Sequence, residues 1–299
     1  MVGMGKDVAA QFAVAAQIFE KANDILGFDI RKVCFEGPEG QLNTTTMSQP
    51  AIFTTSAAIL EVLRTESATA SLIPDVTAGL SMGEYTALYA AGLVGFEDGL
   101  LLVKKRGEAM QAAADATDGA MVSIIGLDEE KVRQLCEKAA QGQILCGVNY
   151  NCPGQVVISG ERQACQRAEQ LAAEFGAIKA VPLSVAGAFH TEIMKSAADA
   201  LEYALRQTQI KDSDKIKVIA NINADYYENA DEIRAGLVKQ LTGAILWQKC
   251  MEQLLADGVN NFYEIGPNRV LTGLMKRIDR KVKVVNLSTV ESIKELLRQ

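Results

Sequence analysis

The sequence predicts an α/β fold in which a mainly parallel sheet carries a smaller inserted domain. Strand-like apolar runs alternate with helical patterns over much of residues 189–299, as in a parallel sheet with helices on both faces. Residues 119–187 have the order β-α-β-β-α-β, which is typical of a ferredoxin-like domain. A glycine-rich turn, Gly79-Leu80-Ser81-Met82-Gly83, lies between a short apolar run and a helical run.

Two units are expected in this chain. Its 299 residues are many for a single compact core. Because the β-α-β-β-α-β unit is complete in itself, we expect it to be an insertion over residues 118–188. Residues 1–117 and 189–299 would then form a discontinuous core.

The elements of each unit follow from their apolar spacing. In the first part of the core, helices are expected over 6–26, from near Ser48 to Leu63 with Pro50 in the first turn, and over 97–115. In the insertion, the expected elements are strand 120–125, helix 128–140 with Asp128 as its cap, strands 144–149 and 155–159, helix 161–175 and strand 178–185. The rest of the core should contain helix 191–208, strand 216–222, helices 230–241 and 246–256, strand 260–265, helix 268–278, strand 282–287 and a final helix from 290.

Composition excludes several classes of protein. The net charge of −7 argues against nucleic acid as the main partner. No apolar run reaches the roughly 18 residues of a membrane helix, so no membrane partner is expected. The six cysteines form no Cys-x-x-Cys pair, which favours reduced thiols in a cytoplasmic protein over zinc ligands.

The turn around Ser81 has the pattern of a nucleophile elbow. In a Gly-x-Ser-x-Gly motif between a strand and a helix, the glycines permit a sharp turn and the serine oxygen stands at the helix N-terminus. Backbone N–H groups there can hold a developing negative charge. The same pattern also occurs by chance in chains where the serine does no chemistry.

A serine nucleophile needs a base, and the chain has one histidine, His190. It lies in the small-residue segment Gly187-Ala188-Phe189-His190-Thr191, just before a predicted helix. That setting favours an exposed, positioned imidazole, although a lone histidine is often only structural. Ser81 and His190 together predict covalent acyl transfer.

Several motifs in order resemble the malonyl-CoA:acyl-carrier-protein transacylase family. The first is Gly79-Leu80-Ser81-Met82-Gly83-Glu84-Tyr85. The others are Ser48-Gln49-Pro50-Ala51, Asn149-Tyr150-Asn151-Cys152-Pro153-Gly154-Gln155, Gly187-Ala188-Phe189-His190 and Glu264-Ile265-Gly266-Pro267-Asn268. The resemblance covers essentially the whole chain. It implies an α/β-hydrolase-like core with a ferredoxin-like insertion.

The resemblance also implies a reaction. Malonyl would pass from coenzyme A to Ser81 and then to the phosphopantetheine thiol of an acyl carrier protein. His190 would take the serine proton, and a main-chain carbonyl, expected at Gln240, would orient the imidazole. Malonyl-CoA and acyl carrier protein are thus the expected partners of a chain that works as a monomer. No metal or redox cofactor is expected.

Further residues receive roles from the same resemblance. Arg106, in Lys104-Lys105-Arg106-Gly107, would pair with the free malonyl carboxylate. Phe189 matches the malonyl-type form of the histidine motif. Gln49 would line the pocket, with helix capping as its alternative role, and the N–H of Met82 would serve the oxyanion hole.

The chain departs from the family pattern at two places. Leu80 stands where the family most often has histidine, and little effect is expected there. The chain begins with Met1-Val2-Gly3-Met4-Gly5, which resembles the stretch just after the family's first strand and Gly-Gln-Gly-Ser-Gln loop. Without that strand and one oxyanion donor, the chain as numbered is expected to be less stable and slower.

Other functions stay open on the sequence. A serine hydrolase or thioesterase would need an acidic third member of a triad. A patatin-like lipase would need an aspartate in an Asp-Gly motif, and Asp118-Gly119 occurs here at the start of the insertion. A truncated protein that only binds acyl carrier protein is the non-enzymatic alternative.

Overall fold

In the computed structural model, which describes residues 1–212 and 215–298, the chain begins with a layer of helices. They are α1 (Lys6–Gln11), α2 (Ala13–Leu26), α3 (Ile30–Glu36), α4 (Glu39–Leu42) and α5 (Thr45–Thr65). The single helix predicted over 6–26 is wrong, because Phe12 is extended (φ −119°, ψ 117°) and separates α1 from α2. Helix α5 begins at Thr45 rather than near Ser48, so Pro50 lies inside it.

The glycine-rich turn lies between a very short strand and two helices of the core. These elements are β1 (Val76–Thr77), α6 (Gly83–Ala90) and α7 (Phe96–Asp115). Helices α5 and α7 pack against each other, and Gly99 lies so close to Phe53 that a Cβ there would be 2.6 Å from its ring. This close packing fixes α7, which carries Arg106, against α5, which carries Gln49.

A four-stranded antiparallel sheet covered by two helices follows. Its elements are β2 (Gly119–Ile125), α8 (Glu129–Ala140), β3 (Leu145–Cys152), β4 (Gln155–Glu161), α9 (Arg162–Leu171) and β5 (Lys179–Pro182). The strand order β3-β4-β2-β5 is the one a ferredoxin-like unit has. Asp128 caps α8 as expected, since its side chain accepts a hydrogen bond from the Lys131 N–H at 2.8 Å.

We propose the boundaries 118–188 for this unit, because its buried apolar residues form a cluster of their own. That cluster includes Val122, Leu135, Ile158 and Ala168. The unit is joined to the core along β3. There, the Tyr150 N–H donates to the Ile245 carbonyl at 2.9 Å, and the Ile245 N–H donates to the Val148 carbonyl at 2.7 Å.

The remaining elements return to the core. They are a 3-10 turn (Glu192–Met194), α10 (Lys195–Gln207), β6 (Lys217–Val218), α11 (Ala230–Thr242), α12 (Trp247–Ala256), β7 (Asn261–Ile265), α13 (Val270–Ile278), β8 (Lys283–Leu287) and α14 (Val290–Leu297). The core strands are parallel, as expected, but within the described residues they form two separate pairs, β1 with β6 and β7 with β8.

Strand β6 is much shorter than the predicted strand 216–222. The chain leaves the extended conformation soon after Val218, where the Tyr227 N–H donates to the Val218 carbonyl and a bridge joins Ile219 to Tyr226. This turn brings Asn221, which is completely buried, to the glycine-rich turn between β1 and α6. Strand β6 is therefore short, and the chain that turns away after it places the Asn221 side chain at the glycine-rich turn.

The two glycines of the turn should differ sharply in what they tolerate. A Cβ on Gly79 would lie 2.0 Å from the backbone carbon and oxygen of Gly83, whereas a Cβ on Gly83 would meet nothing within 4 Å. We expect Gly79→Ala to cost about 1–3 kcal/mol or more, as overpacking does, since backbone cannot move aside. Gly83→Ala, the matched control, should cost nothing. Chemical unfolding of both variants measures this, and equal stabilities would contradict the close approach.

Candidate active site

Ser81 has an unusual backbone that its surroundings hold in place. Its φ of 52° lies in the left-handed region, which costs a residue with a side chain about 1–3 kcal/mol. The Asn221 side chain offsets this strain: its Oδ1 accepts a hydrogen bond from the Ser81 N–H at 2.6 Å, and its Nδ2 donates to the Gly79 carbonyl at 2.9 Å. One buried amide thus spans the turn and directs the Ser81 hydroxyl into a cavity.

The Ser81 hydroxyl meets His190. Their Oγ and Nε2 atoms are 2.9 Å apart, and His190 Nδ1 lies 2.7 Å from the main-chain oxygen of Gln240. Because a carbonyl only accepts, Nδ1 carries the ring proton and Nε2 is left as an acceptor. The serine therefore donates its hydroxyl hydrogen to Nε2, which is the arrangement a general base requires.

The imidazole is held in its neutral form. His190 is 5% exposed, and its burial, together with the nearby Arg106 cation, lowers its pKa to about 4. The Gln240 carbonyl acts in the opposite direction but is the weaker influence. Near neutral pH the ring is thus ready to take a proton. The expectation of an exposed imidazole is wrong, because the residue is buried in the wall of the cavity.

Arg106 is a guanidinium buried without an ion pair among the described residues. It is 1% exposed, and burial lowers its pKa, although arginine stays protonated. Its side chain donates to Gln49 Oε1 at 2.8 Å, to Gln240 Oε1 at 3.0 Å and to Ser81 Oγ at 3.0 Å. Nε has no partner. A buried cation held only by neutral groups is a site for an anion.

These groups share one cavity of about 330 Å³. Gln49, Ser81, Met82, Arg106, Phe189 and His190 all line it. Gln49 is not a helix cap, since it lies in the second turn of α5, where its Nε2 contacts the Met110 sulfur at 3.5 Å. Leu183 and Val185, both partly exposed, lie on the same cavity's wall.

Met82 stands at the start of helix α6. It is the N-cap residue, so its N–H belongs to the first amides of the helix, which have no partner within it. An anion that forms on an acyl group at Ser81 would lie beside this amide and the positive end of the helix dipole.

Sequence reasoning missed two residues of the site, Asn221 and Glu84. In the sequence, Glu84 is only one residue of the elbow motif and receives no role. In the structure it is completely buried, and it accepts hydrogen bonds from the Asn221 N–H at 3.1 Å and from Gln240 Nε2 at 2.8 Å. A carboxylate within the otherwise apolar run of α6 was the available signal for it. Asn221 has no comparable signal in the sequence.

A hydrolase triad would need a carboxylate as the partner of His190 Nδ1. In this structure that partner is instead the Gln240 main-chain carbonyl. Asp118, the candidate of a patatin-like site, is exposed and pairs with Arg162 at 2.6 Å. Among residues 1–212 and 215–298, no group of three His, Cys, Asp or Glu side chains could hold a metal ion. In that same part of the chain, no helix combines the length and apolarity needed to cross a membrane.

Comparison with known proteins identifies a family that matches nearly the whole chain. The family described as acyl transferase domain matches residues 2–295. The chain is 41% identical to the malonyl CoA-acyl carrier protein transacylase of Bacillus subtilis over 293 residues, which are 98% of this chain and 91% of that protein.

Two solved structures are similar throughout. An acyl carrier protein S-malonyltransferase from Vibrio cholerae superposes with a TM-score of 0.94 at 40% identity, over 99% of this chain and 95% of that one. A malonyl-transacylase in complex with a type II PKS acyl-carrier protein gives 0.95 at 39% identity, over 100% and 95%. The chain belongs to the acyl transferase family, in the group of the malonyl CoA-acyl carrier protein transacylases.

The lone histidine makes its pKa directly measurable. We expect NMR titration of the His190 ring to give a pKa well below 6.5, near 4, since burial and Arg106 both disfavour the imidazolium. The ring should therefore stay neutral at pH 6. In Arg106→Gln the pKa should rise but remain below 6.5, because burial persists.

Circular dichroism at each pH shows that the chain is still folded during this titration. A ring that titrates at its ordinary value in the folded parent protein would contradict the buried, neutral imidazole. A pKa that does not change in Arg106→Gln would remove the arginine as a cause.

Proposed function

We propose that this protein transfers malonyl from coenzyme A to the phosphopantetheine thiol of an acyl carrier protein through an ester on Ser81. One observation carries the proposal: a serine hydrogen-bonded to a neutral imidazole lies beside a buried guanidinium that has no carboxylate partner. The serine and imidazole suit acyl transfer, and the guanidinium suits an acyl group that ends in a carboxylate. The names of its relatives and the solved complex of one with a carrier protein support the same reaction.

The first half-reaction would form the ester. His190 Nε2 takes the Ser81 proton as Oγ attacks the thioester carbonyl carbon. The carbon–sulfur bond then breaks, and the imidazolium returns the proton to the coenzyme A thiolate. The Gln240 carbonyl holds the ring throughout and stabilises the transient positive charge at Nδ1–H.

The second half-reaction would repeat these steps with another thiol. His190 removes the proton of the phosphopantetheine thiol, and the thiolate attacks the ester carbonyl. The carbon–oxygen bond breaks, and Ser81 Oγ recovers the proton from the imidazolium. A covalent ester thus lets two thiol carriers use one site in turn.

Two groups would act on the acyl part. The Met82 N–H donates to the carbonyl oxygen as it becomes an anion. The Arg106 guanidinium pairs with the free malonyl carboxylate, which gives this buried cation an ionic partner. Phe189, packed on the cavity wall, limits what else fits beside the carboxylate.

The proposed reaction needs no added group, because the thioester of the substrate is already activated and Ser81 itself holds the acyl group between the two transfers. We therefore propose malonyl-CoA as the substrate, with no cofactor. We also propose a cytoplasmic location. The six cysteines support this proposal, because all of them are free thiols in the structure.

Ser81→Ala tests the proposal directly. Incubation with malonyl-CoA should add one malonyl group to the parent protein by intact-mass measurement and none to the variant. Ser184→Ala is the matched control, since Ser184 lines the same cavity but does not contact His190, and it should still be acylated. An adduct that persists in Ser81→Ala would refute the nucleophile. Release of free malonate without any adduct would indicate a hydrolase, and neither adduct nor release would indicate a carrier-binding protein.

His190→Ala should slow the same acylation by about 10²–10⁴-fold, the usual contribution of a positioned base. Single-turnover acylation measured by mass gives this rate. Acylation at the parent rate would show that another group removes the proton.

Arg106 should set the preference for a carboxylated acyl group. Loss of a charge-assisted hydrogen bond costs about 1.5–3 kcal/mol, so Arg106→Ala should lower the malonyl-to-acetyl ratio of kcat/KM by roughly 10- to 150-fold. Arg106→Lys should restore it only in part, because lysine lacks the planar fork.

Both substrates are measured on one sample, so partial unfolding cancels from this ratio. Lys105→Ala, an exposed neighbour on α7, should leave the ratio at the parent value. A parent-like ratio in Arg106→Ala would show that the guanidinium does not distinguish malonyl from acetyl.

A further inference from the structure

Glu84 is a carboxylate buried directly behind the candidate active site. Its side chain is completely buried in the first turn of α6, and it forms no ion pair among the described residues. Three neutral donors hold it instead: the Tyr227 hydroxyl, the Asn221 N–H and the Gln240 side-chain amide. Burial raises the pKa of Glu84 to about 7, and these three donors, followed by the charge of Arg106, act against that rise.

The Gln240 amide connects Glu84 to Arg106. Its Nε2 donates to Glu84 Oε2 at 2.8 Å and to the Ser81 carbonyl at 3.1 Å, while its Oε1 accepts from Arg106 at 3.0 Å. The two buried charges thus do not touch. An oriented amide lies between them, with each end facing the charge that suits it.

The opposite orientation of this amide would be unfavourable at every contact. After a flip, Nε2 would face the Arg106 cation as a donor against donors. Oε1 would face the Ser81 carbonyl and the Glu84 carboxylate as an acceptor against acceptors. Above the Glu84 pKa of about 7, the negative charge of its carboxylate makes this flip most costly and so keeps an acceptor in front of the guanidinium.

We propose that Glu84 is a positioning residue for substrate selection: it fixes the Gln240 side-chain amide, which in turn holds the Arg106 guanidinium where a malonyl carboxylate can meet it. Glu84 does not touch the reacting atoms. Its effect passes through Gln240 to Arg106, and the main-chain carbonyl of Gln240 remains free to orient His190. The inference rests on the proposed function, because its kinetic readout is malonyl transfer.

The position of Glu84 makes its effect separable from a general one. If it acts through Arg106, its loss should affect malonyl far more than acetyl, since acetyl offers nothing to the guanidinium. A merely structural role would slow both substrates alike. It would also have the same effect with or without Arg106.

The test is a double-mutant cycle, run at about pH 8 so that Glu84 is ionised in the parent protein, on the ratio of kcat/KM for malonyl-CoA to that for acetyl-CoA. Glu84→Gln, which keeps the shape and removes the charge, should lower the ratio about 3- to 10-fold, the loss expected for one hydrogen bond. The change should appear mainly in KM for malonyl-CoA. In the Arg106→Ala background, Glu84→Gln should change the ratio no further.

Two variants serve as controls. Tyr227→Phe removes another donor of Glu84 but leaves the Gln240 contact, so the ratio should stay at the parent value even if the melting temperature falls. Gln240→Met removes the amide and keeps the main-chain carbonyl, so it should reproduce the Glu84→Gln ratio. It also decides the question if Glu84→Gln does not fold. Equal losses for both substrates, or a further loss in the Arg106→Ala background, would overturn the proposal.

A readout without substrate separates this inference from the proposed function. Hydrogen exchange of the Gln240 side-chain amide, followed by NMR, should be slow in the parent protein and clearly faster in Glu84→Gln. If the parent protein forms no malonyl adduct, the proposed function fails and this exchange alone decides the positioning role. Unchanged exchange in Glu84→Gln would overturn it.

Discussion

The candidate site depends on one constraint: the Arg106 guanidinium is buried with neutral partners only. Burying a cation is costly, and three neutral acceptors, Gln49, Gln240 and Ser81, reduce that cost here. The same charge helps to keep His190 neutral, because it disfavours the imidazolium. A group that brings a carboxylate would relieve the missing partner and, by offsetting the charge, would raise the basicity of His190. In the proposed reaction, substrate selection and the strength of the base would therefore both depend on this single buried charge.

Beneath this cation, the core contains completely buried polar side chains that form a hydrogen-bond network. Asn221 holds the left-handed turn at Ser81, and Gln240 contacts both Arg106 and His190. Glu84 accepts hydrogen bonds from Asn221 and from Gln240. Each buried amide is used at both of its ends. A network of this kind is worth more when it is complete, since any unpaired member costs its full desolvation. This network holds the Ser81 backbone and the His190 ring in place, and the partner of His190 Nδ1 in it is a main-chain carbonyl.

The sequence could predict the parts of this site that have local signals. The glycines around Ser81 and the presence of one histidine identify two residues that the structure brings within 2.9 Å. Arg106 and Gln240 could be named only through a family resemblance, because an arginine beside two lysines on a helix usually faces solvent. Asn221 and Glu84 could not be named. They are 137 positions apart, and no spacing rule joins residues whose contact depends on the turn after β6.

In the fold, the ferredoxin-like order was predictable from alternating patterns. The break at Phe12 was not, because apolar spacing continues across it on both sides.

Equilibrium binding to a variant that cannot react shows whether Arg106 is reserved for the carboxylate of the acyl group. Calorimetry of Ser81→Ala with malonyl-CoA and acetyl-CoA compares two ligands that differ mainly in that carboxylate. We expect malonyl-CoA to bind roughly 10- to 150-fold more tightly. We also expect this difference to disappear in the Ser81→Ala, Arg106→Ala double variant. Equal dissociation constants for the two ligands in Ser81→Ala would show that the guanidinium does not bind the acyl carboxylate.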